Sequence, residues 1–316
     1  MLHFNRFAAS ISILLLIPPA FAGQKKPRDP AAQDSPVLIQ GSASEISSPP
    51  HPAQLPPPAV LENTKTSQWH LTFSDEFDGS LLNRCWKHSY IHGVRTLKAN
   101  GEEQYYAEPG EIAGFDPLHL KDGILYINAA PTPHAALNKA DRQPYLSGMI
   151  MSDGCFAQKF GYFEIRTRVP EGRGLWPAFW LLPARHMWPP EIDIFEMFGA
   201  PNSRKEGGVG QVHTGTLDGR TKSVNAWHTV PVNQYDSFHT YGLLWEPEKM
   251  TFYVDGQSIA TQPVSEALKK KMYLIVNLAL GGKWVESPDA STQFPAYMAV
   301  DYIRVWQYEP WRTEGD

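Results

Sequence analysis

The chain has 316 residues, of which 42% are apolar, 12% aromatic and 19% charged. This is the composition of a globular protein, and it excludes a wholly disordered chain or a coiled coil. The net charge of −5 disfavours nucleic-acid binding by bulk electrostatics, and two cysteines are too few for a disulfide-dense scaffold or a cysteine-rich zinc site.

Residues 1–22 have the pattern of a secretory signal peptide. A weakly basic start precedes a short apolar run at 11–17, and Ala20 and Ala22 supply the small residues of a cleavage site. The apolar run is far shorter than the roughly 20 residues that span a bilayer, and no later stretch is long enough. We therefore expect a secreted protein, periplasmic or extracellular, without stable membrane insertion.

Residues 23–66 are rich in Pro, Ala, Ser and Gln and contain no aromatic side chain. Such a segment buries too little apolar surface to offset the entropy lost on ordering it. The composition predicts a disordered, Pro-rich linker, followed by one folded domain at residues 67–312.

From residue 69 onward, short runs of β-branched and aromatic residues alternate with turn signals. The pattern predicts strands at 118–120, 124–128, 160–169, 251–254, 273–280 and 298–306, and one short helix at 265–271. Asp255 and Gly256 form a strong hairpin signal after one of these strands. Many strands without interleaved helices predict an all-β fold of two antiparallel sheets, a sandwich or jelly roll.

The segment 191–196 (EIDIFE) carries Glu191, Asp193 and Glu196 among apolar neighbours. Acids in a buried strand need partners, a ligand or a chemical role. In a regular strand Glu191 and Asp193 share a face and Glu196 points away, but one extra residue, a β-bulge, would bring Glu196 back. Crowded carboxyl groups raise one another's pKa, so at least one should stay protonated near neutral pH. Glycoside hydrolases use such a pair, a charged carboxylate beside a protonated carboxyl group, for catalysis.

Two other interpretations of the acids are open: ion pairs with Arg166, Arg168 or Arg173, or binding of a cation such as calcium. Tryptophans near the acids favour a carbohydrate cleft, because indole faces stack on pyranose rings. These are Trp176, Trp180 and Trp188, with Trp284 later in the chain. Trp180 lies inside an apolar run, where a position in the core is a serious rival.

The segment 191–196 resembles the active-site signature of glycoside hydrolase family 16 in its six-residue, bulged form. That form is similar to laminarinases, agarases and carrageenases more than to lichenases. The resemblance covers most of residues 69–308. It includes, in order, 75–79 (DEFDG), 100–106 (NGEEQYY), 147–150 (SGMI), 161–164 (GYFE), 238–241 (FHTY), 252–256 (FYVDG), 277–284 (NLALGGKW) and 301–306 (DYIRVW).

The resemblance implies a concanavalin-like jelly roll and retaining endo-hydrolysis of a β-linked polysaccharide, with no catalytic cofactor. Glu191 matches the nucleophile, Glu196 the acid/base, and Asp193 the carboxylate that assists them. A lone histidine such as His213 could equally be structural. The expected substrate-binding residues are Asn100, Trp176, Trp180, Trp188, His213 and Trp284.

Some relatives in this family hold a structural calcium ion, and Glu76 and Asp301 match that site best. Two acids alone do not define an oxygen cage of 6–8 ligands. A disulfide between Cys85 and Cys155 is left open: an exported chain meets an oxidising compartment, but cysteines this far apart need not meet.

The expected function is hydrolysis of β-1,3- or β-1,3-1,4-glucan by a monomer. The segment 188–191 (WPPE) departs from the usual sequence and is similar to enzymes that trim bacterial exopolysaccharides, so an acidic polymer such as succinoglycan is the rival substrate. The rival of a different class is a lectin-like module on the same fold without turnover. A pure lectin has no need of the three acids.

Overall fold

The computed structural model describes residues 58–61, 66–199, 209–219 and 224–312. The predicted signal peptide, residues 1–22, lies outside the described residues, and so does most of the predicted linker. Within the described ranges, no helix has the length and apolar character needed to cross a membrane.

Strands make up most of the described chain. They are β1 (Trp69–Asp75), β2 (Gln104–Tyr106), β3 (Leu118–Lys121), β4 (Ile124–Pro131), β5 (Tyr145–Ser147), β6 (Met149–Met151), β7 (Gly161–Arg168), β8 (Leu175–Pro183), β9 (Glu191–Glu196), β10 (Gln211–Leu217), β11 (Val224–Thr229), β12 (His239–Trp245), β13 (Lys249–Val254), β14 (Gln257–Pro263), β15 (Met272–Leu280) and β16 (Ala296–Tyr308). Short 3₁₀ turns lie at Ala59–Leu61, Thr66–Gln68, Ile91–Gly93, Lys98–Asn100, His134–Ala136 and Glu309–Trp311.

The strands form two sheets. The larger has ten strands in the order β14-β13-β12-β7-β16-β4-β5-β2, with β1 also paired to β16 and β3 to β4. The smaller has six in the order β11-β10-β9-β8-β15-β6. Within the described residues every strand pairing is antiparallel except β2 with β5, which is parallel. The predicted all-β jelly roll of two sheets is confirmed.

Side-chain alternation gives the six-stranded sheet one face in the core and one face on a cleft. In β15, Leu274, Val276 and Leu278 belong to the large cluster that fills the space between the sheets. Asn277 and Ala279 point the other way and line the cleft. The core therefore fixes the positions of the residues that face the substrate side.

The predicted helix at 265–271 is wrong. That segment forms turns, in which Leu268 N donates to Ser265 O at 3.0 Å. The chain leaves β14 at Pro263 in one sheet and enters β15 at Met272 in the other. A single isolated helical turn is marginal in water, and these few residues serve instead as the crossing between the sheets.

Four residues of the predicted linker, 58–61, are part of the folded domain. Leu61 is fully buried in a cluster with Trp69, Tyr162 and Trp306 on the outer face of the ten-stranded sheet. Pro58 O accepts a hydrogen bond from Leu61 N at 2.9 Å, which closes the turn. The expectation that the whole segment up to residue 66 stays solvated is therefore wrong at its C-terminal end, where one leucine anchors the chain.

The two cysteines are bonded to each other. Cys85 follows β1, Cys155 follows β6, and their sulfur atoms are 2.04 Å apart. The disulfide that the sequence left open is present, and it ties the segment after β1 to the turn beside β6.

Candidate active site

A β-bulge in β9 brings the three acids to one face. Trp180 of β8 pairs with Asp193, yet the preceding Phe179 pairs with Phe195, so β9 contains one residue more than its neighbour. The register with β10 shifts at the same place, between the pairs His213–Glu196 and Gly215–Asp193. The extra residue sends Ile194 and Phe195 into the core. Glu191, Asp193 and Glu196 all line the cleft, as the sequence predicted.

Glu191 and Asp193 are joined by a hydrogen bond between their side chains. Trp188 Nε1 donates to Glu191 Oε2 at 3.0 Å. Behind Asp193, Gly215 of β10 leaves space that no other residue could: a Cβ there would lie 2.7 Å from Asp193 Oδ2 and 2.5 Å from Asn225 Oδ1. The glycine lets the strands carry both polar side chains at close range.

Glu196 is held by two different donors. Trp176 Nε1 donates to Glu196 Oε1 at 3.0 Å, and His213 Nδ1 lies 3.0 Å from Glu196 Oε2. Trp284 stacks nearly parallel on Trp176, with 6.1 Å between ring centroids, and meets the His213 ring edge-on at 5.8 Å. The carboxyl group of Glu196 is therefore fixed in orientation while its surroundings stay aromatic.

The electrostatics of the cleft favour protonated acids. Burial, and after it the charge of Glu196, raise the pKa of Glu191 to about 7. Burial, then the charges of Glu191 and Glu196, hold the pKa of Asp193 well above its ordinary value. No lysine or arginine of the described chain lines the cleft to oppose these effects.

The arginine interpretation of the acids is not supported. Arg166 pairs with Asp301, and Arg173 pairs with Glu286 and, at 3.4 Å, with Asp289. Because Arg168 does not line the cleft either, the three acids of β9 lack a lysine or arginine beside them in the described structure. Their carboxyl groups are therefore not used up in ion pairs with arginine or lysine.

Comparison with known proteins assigns a family to this arrangement. The model of the glycosyl hydrolases family 16 matches residues 125–304. The chain belongs to glycoside hydrolase family 16.

Relatives and solved structures agree. Endo-1,3-1,4-beta-glycanase ExsH of Rhizobium meliloti is 36% identical over 75% of this chain and 52% of its own. The beta-glucanase of Rhodothermus marinus is 32% identical over 77% of this chain and 87% of its own. The catalytic domain of an endo-1,3-beta-glucanase (laminarinase) from Thermotoga petrophila has a TM-score of 0.65 and 28% identity, over 76% of this chain and 98% of its own. The match thus spans about half the length of the Rhizobium relative.

The family 16 cleft contains most of the predicted substrate-binding residues. Asn100, Trp176, Trp180, Trp188 and Trp284 all line it. Trp188 and Trp284 are exposed, whereas Trp180 is buried in a cluster with Tyr90 and donates from Nε1 to Asn277 Oδ1 at 2.7 Å. His213 is buried and does not line the cleft. Its Nδ1 contacts Glu196 Oε2 and its ring meets Trp284, so the structure places it as a support for that acid.

Several cleft residues were missed by the sequence analysis. Glu102 is buried and accepts hydrogen bonds from Asn100 Nδ2 at 3.0 Å and Gln104 Nε2 at 2.6 Å. Burial raises the pKa of Glu102. Asn277 Nδ2 donates to the Tyr106 hydroxyl at 2.9 Å beneath the cleft floor. Glu102 and Asn277 lie within motifs that resemble the family, which was the available signal, whereas Asn225 of β11 had none.

The expected calcium residues serve another purpose. Glu76 accepts two hydrogen bonds from Arg304, at 3.0 Å from Nε and 2.7 Å from Nη2, and Asp301 pairs with Arg166. Within the described residues, no group of three or more His, Cys, Asp or Glu side chains is arranged to hold a metal ion. Calcium binding by Glu76 and Asp301 is therefore not confirmed: in the described structure both carboxylates are paired with arginine.

Proposed function

We propose that this chain is a secreted, retaining endo-β-glycanase that hydrolyses internal bonds of β-1,3- or β-1,3-1,4-glucan. The observation that carries the proposal is the convergence of Glu191, Asp193 and Glu196 on one face of β9, in a cleft that no described lysine or arginine lines. The relatives named as an endo-1,3-1,4-beta-glycanase and a beta-glucanase support the substrate class.

In the first chemical step, the Glu191 carboxylate attacks the anomeric carbon and the glycosidic C–O bond breaks. Glu196 gives its proton to the departing oxygen, so the leaving sugar is released as an alcohol. Trp188 donates a hydrogen bond to one Glu191 oxygen. Trp176 and His213 contact the two oxygens of Glu196, the acid/base. Fixing both groups in advance lowers the entropy that the transition state has to lose.

In the second step, Glu196 removes a proton from water as the water oxygen attacks the same carbon. The ester to Glu191 breaks and the anomeric configuration is restored. Asp193, with its pKa well above the ordinary range, keeps a proton that bonds to Glu191. The Glu191–Asp193 pair therefore carries one negative charge rather than two, which leaves Glu191 able to act as the anion.

Export is also part of the proposal. The N-terminal signal pattern supports it, and the Cys85–Cys155 bond suits an oxidising compartment. N-terminal sequencing of protein recovered outside the cytoplasm should find a mature chain that begins after Ala22. A mature chain that retains Met1 would contradict it.

The test is a substrate panel with product analysis. The full chain is incubated with laminarin, barley β-glucan, agarose, carrageenan and succinoglycan, and reducing ends, product lengths and the first-formed anomer are measured. We expect a rapid fall in β-glucan chain length and β-anomeric products. α-Anomeric products would overturn the retaining mechanism, and cleavage of succinoglycan alone would move the substrate to the exopolysaccharide. Binding without any new reducing ends would favour the lectin-like alternative.

A further inference from the structure

Two kinds of apolar side chain line the cleft. Trp176 and Trp284 stack beside Glu196. Five aliphatic side chains, here called the aliphatic wall, line the same cleft: Ile91, Val94, Leu97, Leu182 and Met187. Eight large hydrophobic side chains of the described chain are exposed, and four of them, Val94, Met187, Trp188 and Trp284, line this cleft. Apolar surface is thus concentrated where the polysaccharide passes.

The aliphatic wall is a built feature of the fold. Ile91, Leu97 and Leu182 pack against the buried cluster that contains Tyr90 and Trp180. The loop that carries Val94 is closed by a hydrogen bond from Tyr90 N to Val94 O at 2.9 Å. The side chains are therefore held in place by the core beneath them.

Met187 is positioned by its neighbours in the same way. His186 Nε2 lies 2.7 Å from Asp153 Oδ1, and Lys87 Nζ lies 2.8 Å from Asp153 Oδ2. On the other side, Trp188 donates to Glu191. Met187, 53% exposed, thus stands between a tethered histidine and the residue that contacts Glu191. Met187 and Glu191 line the same cleft.

Aliphatic side chains suit a different ligand group from tryptophans. Indole faces stack on the apolar faces of sugar rings, and the N–H bonds hydroxyls. Branched and thioether side chains offer neither, and hydroxyls pressed against them lose water without compensation. An acetyl ester replaces a hydroxyl proton with a group that ends in a methyl, and burying that methyl group against aliphatic side chains is favourable.

We propose that the wall formed by Ile91, Val94, Leu97, Leu182 and Met187 is a subsite for an O-acetyl substituent, so that the substrate is an acetylated β-glucan. This inference rests on the proposed function for the backbone polymer. The substituent adds affinity near the scissile bond, and Met187 and Val94, the exposed members, make the contact.

The experiment compares one polymer in two states. β-1,3-1,4-Glucan oligosaccharides are lightly O-acetylated, and half of the sample is de-esterified with mild alkali. For the wild-type chain we expect kcat/KM about four-fold higher on the acetylated half, the effect of burying one methyl group. Val94→Thr and Met187→Gln keep side-chain size and add polarity, so the ratio should fall toward one in each. Val224→Thr is the matched control: Val224 has the same 42% exposure as Val94 but lies outside the cleft, so the ratio should stay at the wild-type value.

Affinities measured on Glu191→Gln separate this inference from the proposed function. That variant should bind both samples without turnover and show the same four-fold ratio, since the methyl group is buried equally without catalysis; about four-fold is the expected size. A wild-type ratio of one or below overturns the acetyl subsite while leaving the glucanase proposal intact. If the ratio stays above one in both Val94→Thr and Met187→Gln, the acetyl subsite does not lie at this wall. If wild-type enzyme cleaves neither sample, the function proposal fails, and the binding ratio still decides the subsite.

Discussion

Two groups of carboxylates lie on opposite outer surfaces of this sandwich, in opposite surroundings. On the ten-stranded sheet, Glu76 is paired with Arg304 and Asp301 with Arg166. On the six-stranded sheet, the acids of β9 meet indole N–H groups, an imidazole and each other. Paired carboxylates are satisfied and stabilise the fold, whereas crowded carboxylates without a lysine or arginine keep charge and protons that a substrate can use.

Glu164 shows that a raised pKa does not by itself mark the active surface. It is buried on the outer face of β7 and accepts hydrogen bonds from the Tyr162 hydroxyl at 3.0 Å and the Tyr302 hydroxyl at 2.9 Å. Burial raises its pKa. Yet Glu164 does not line the cleft of the described structure, and two tyrosines occupy its oxygens. Access to the cleft, rather than a raised pKa, separates the acids of β9 from Glu164.

The largest expected effect comes from Glu191→Gln. An amide of the same shape cannot form the glycosyl ester, so kcat should fall by about 10⁴-fold or more. The fold should persist, because the substitution removes a charge from a crowded site. The measurements are reducing-end release and circular dichroism. Near-wild-type activity would mean that Glu191 is not the nucleophile.

Glu196→Ala should lower kcat on polysaccharide by about 10²–10⁴-fold. A substrate with a good leaving group needs no proton in the first step and should be spared. Azide, which needs no general base, should restore turnover and give a β-glycosyl azide. Equally poor rates on aryl glycosides and polymer, with no rescue, would argue against the acid/base role.

The sequence was sufficient to predict the chemistry of β9, because all three acids lie within six consecutive residues. The alternation of a strand and one bulge sufficed to place three acids on a face, and the register confirms the bulge. The arginine partners of Glu76 and Asp301 were not predictable, because they depend on the register between β16 and its neighbours. The aliphatic wall was hidden because Val94 lies between β1 and β2, whereas Leu182 and Met187 lie in and just after β8, and only the tertiary fold brings the two segments together.

Leu61→Ala tests a different feature of the outer face, the anchor at the end of the linker. Removing a fully buried leucine side chain should lower the free energy of unfolding by about 2–3 kcal/mol. This lies toward the low end of the range for Leu→Ala in protein cores, because the turn can collapse into the space. Each kcal/mol lowers the Tm of a domain of this size by about 2–4 °C. The rate on soluble polymer should not change. A chain that starts at Lys65 should show the same loss of Tm, and an unchanged Tm in both would mean that Leu61 contributes nothing.

Glu76→Gln replaces a carboxylate with an amide on the outer face of the ten-stranded sheet, as Glu191→Gln does in the cleft. It should leave activity intact, since Glu76 lies outside the cleft. It weakens two charge-assisted hydrogen bonds to a partly exposed Arg304, so stability should fall by about 1 kcal/mol. Thermal unfolding and the polymer assay measure both. Loss of activity with an unchanged Tm would contradict a purely structural role for Glu76.

The last expected effect leaves activity aside and concerns the pH dependence of the stability that the buried Glu191 carboxyl group costs. Burial and Glu196 raise its pKa from 4.5 to about 7 in the folded chain, so the folded state binds more protons than the unfolded state between those values. Stability therefore falls as pH rises through this window and levels off above it. The amide introduced by Glu191→Gln cannot titrate, so the Tm of this variant relative to wild type should rise between about pH 4.5 and about pH 8. A pKa difference of this size corresponds to about 3 kcal/mol. At about 2–4 °C for each kcal/mol, the expected rise in Tm is roughly 6–12 °C.

Scanning calorimetry of both proteins across this range measures the difference in Tm. A difference that is constant with pH would show that Glu191 is not perturbed by its neighbours. The crowding that distinguishes the cleft acids from the arginine-paired acids of the other face would then lose its support, because a carboxyl group with an ordinary pKa binds the same number of protons in the folded and unfolded states.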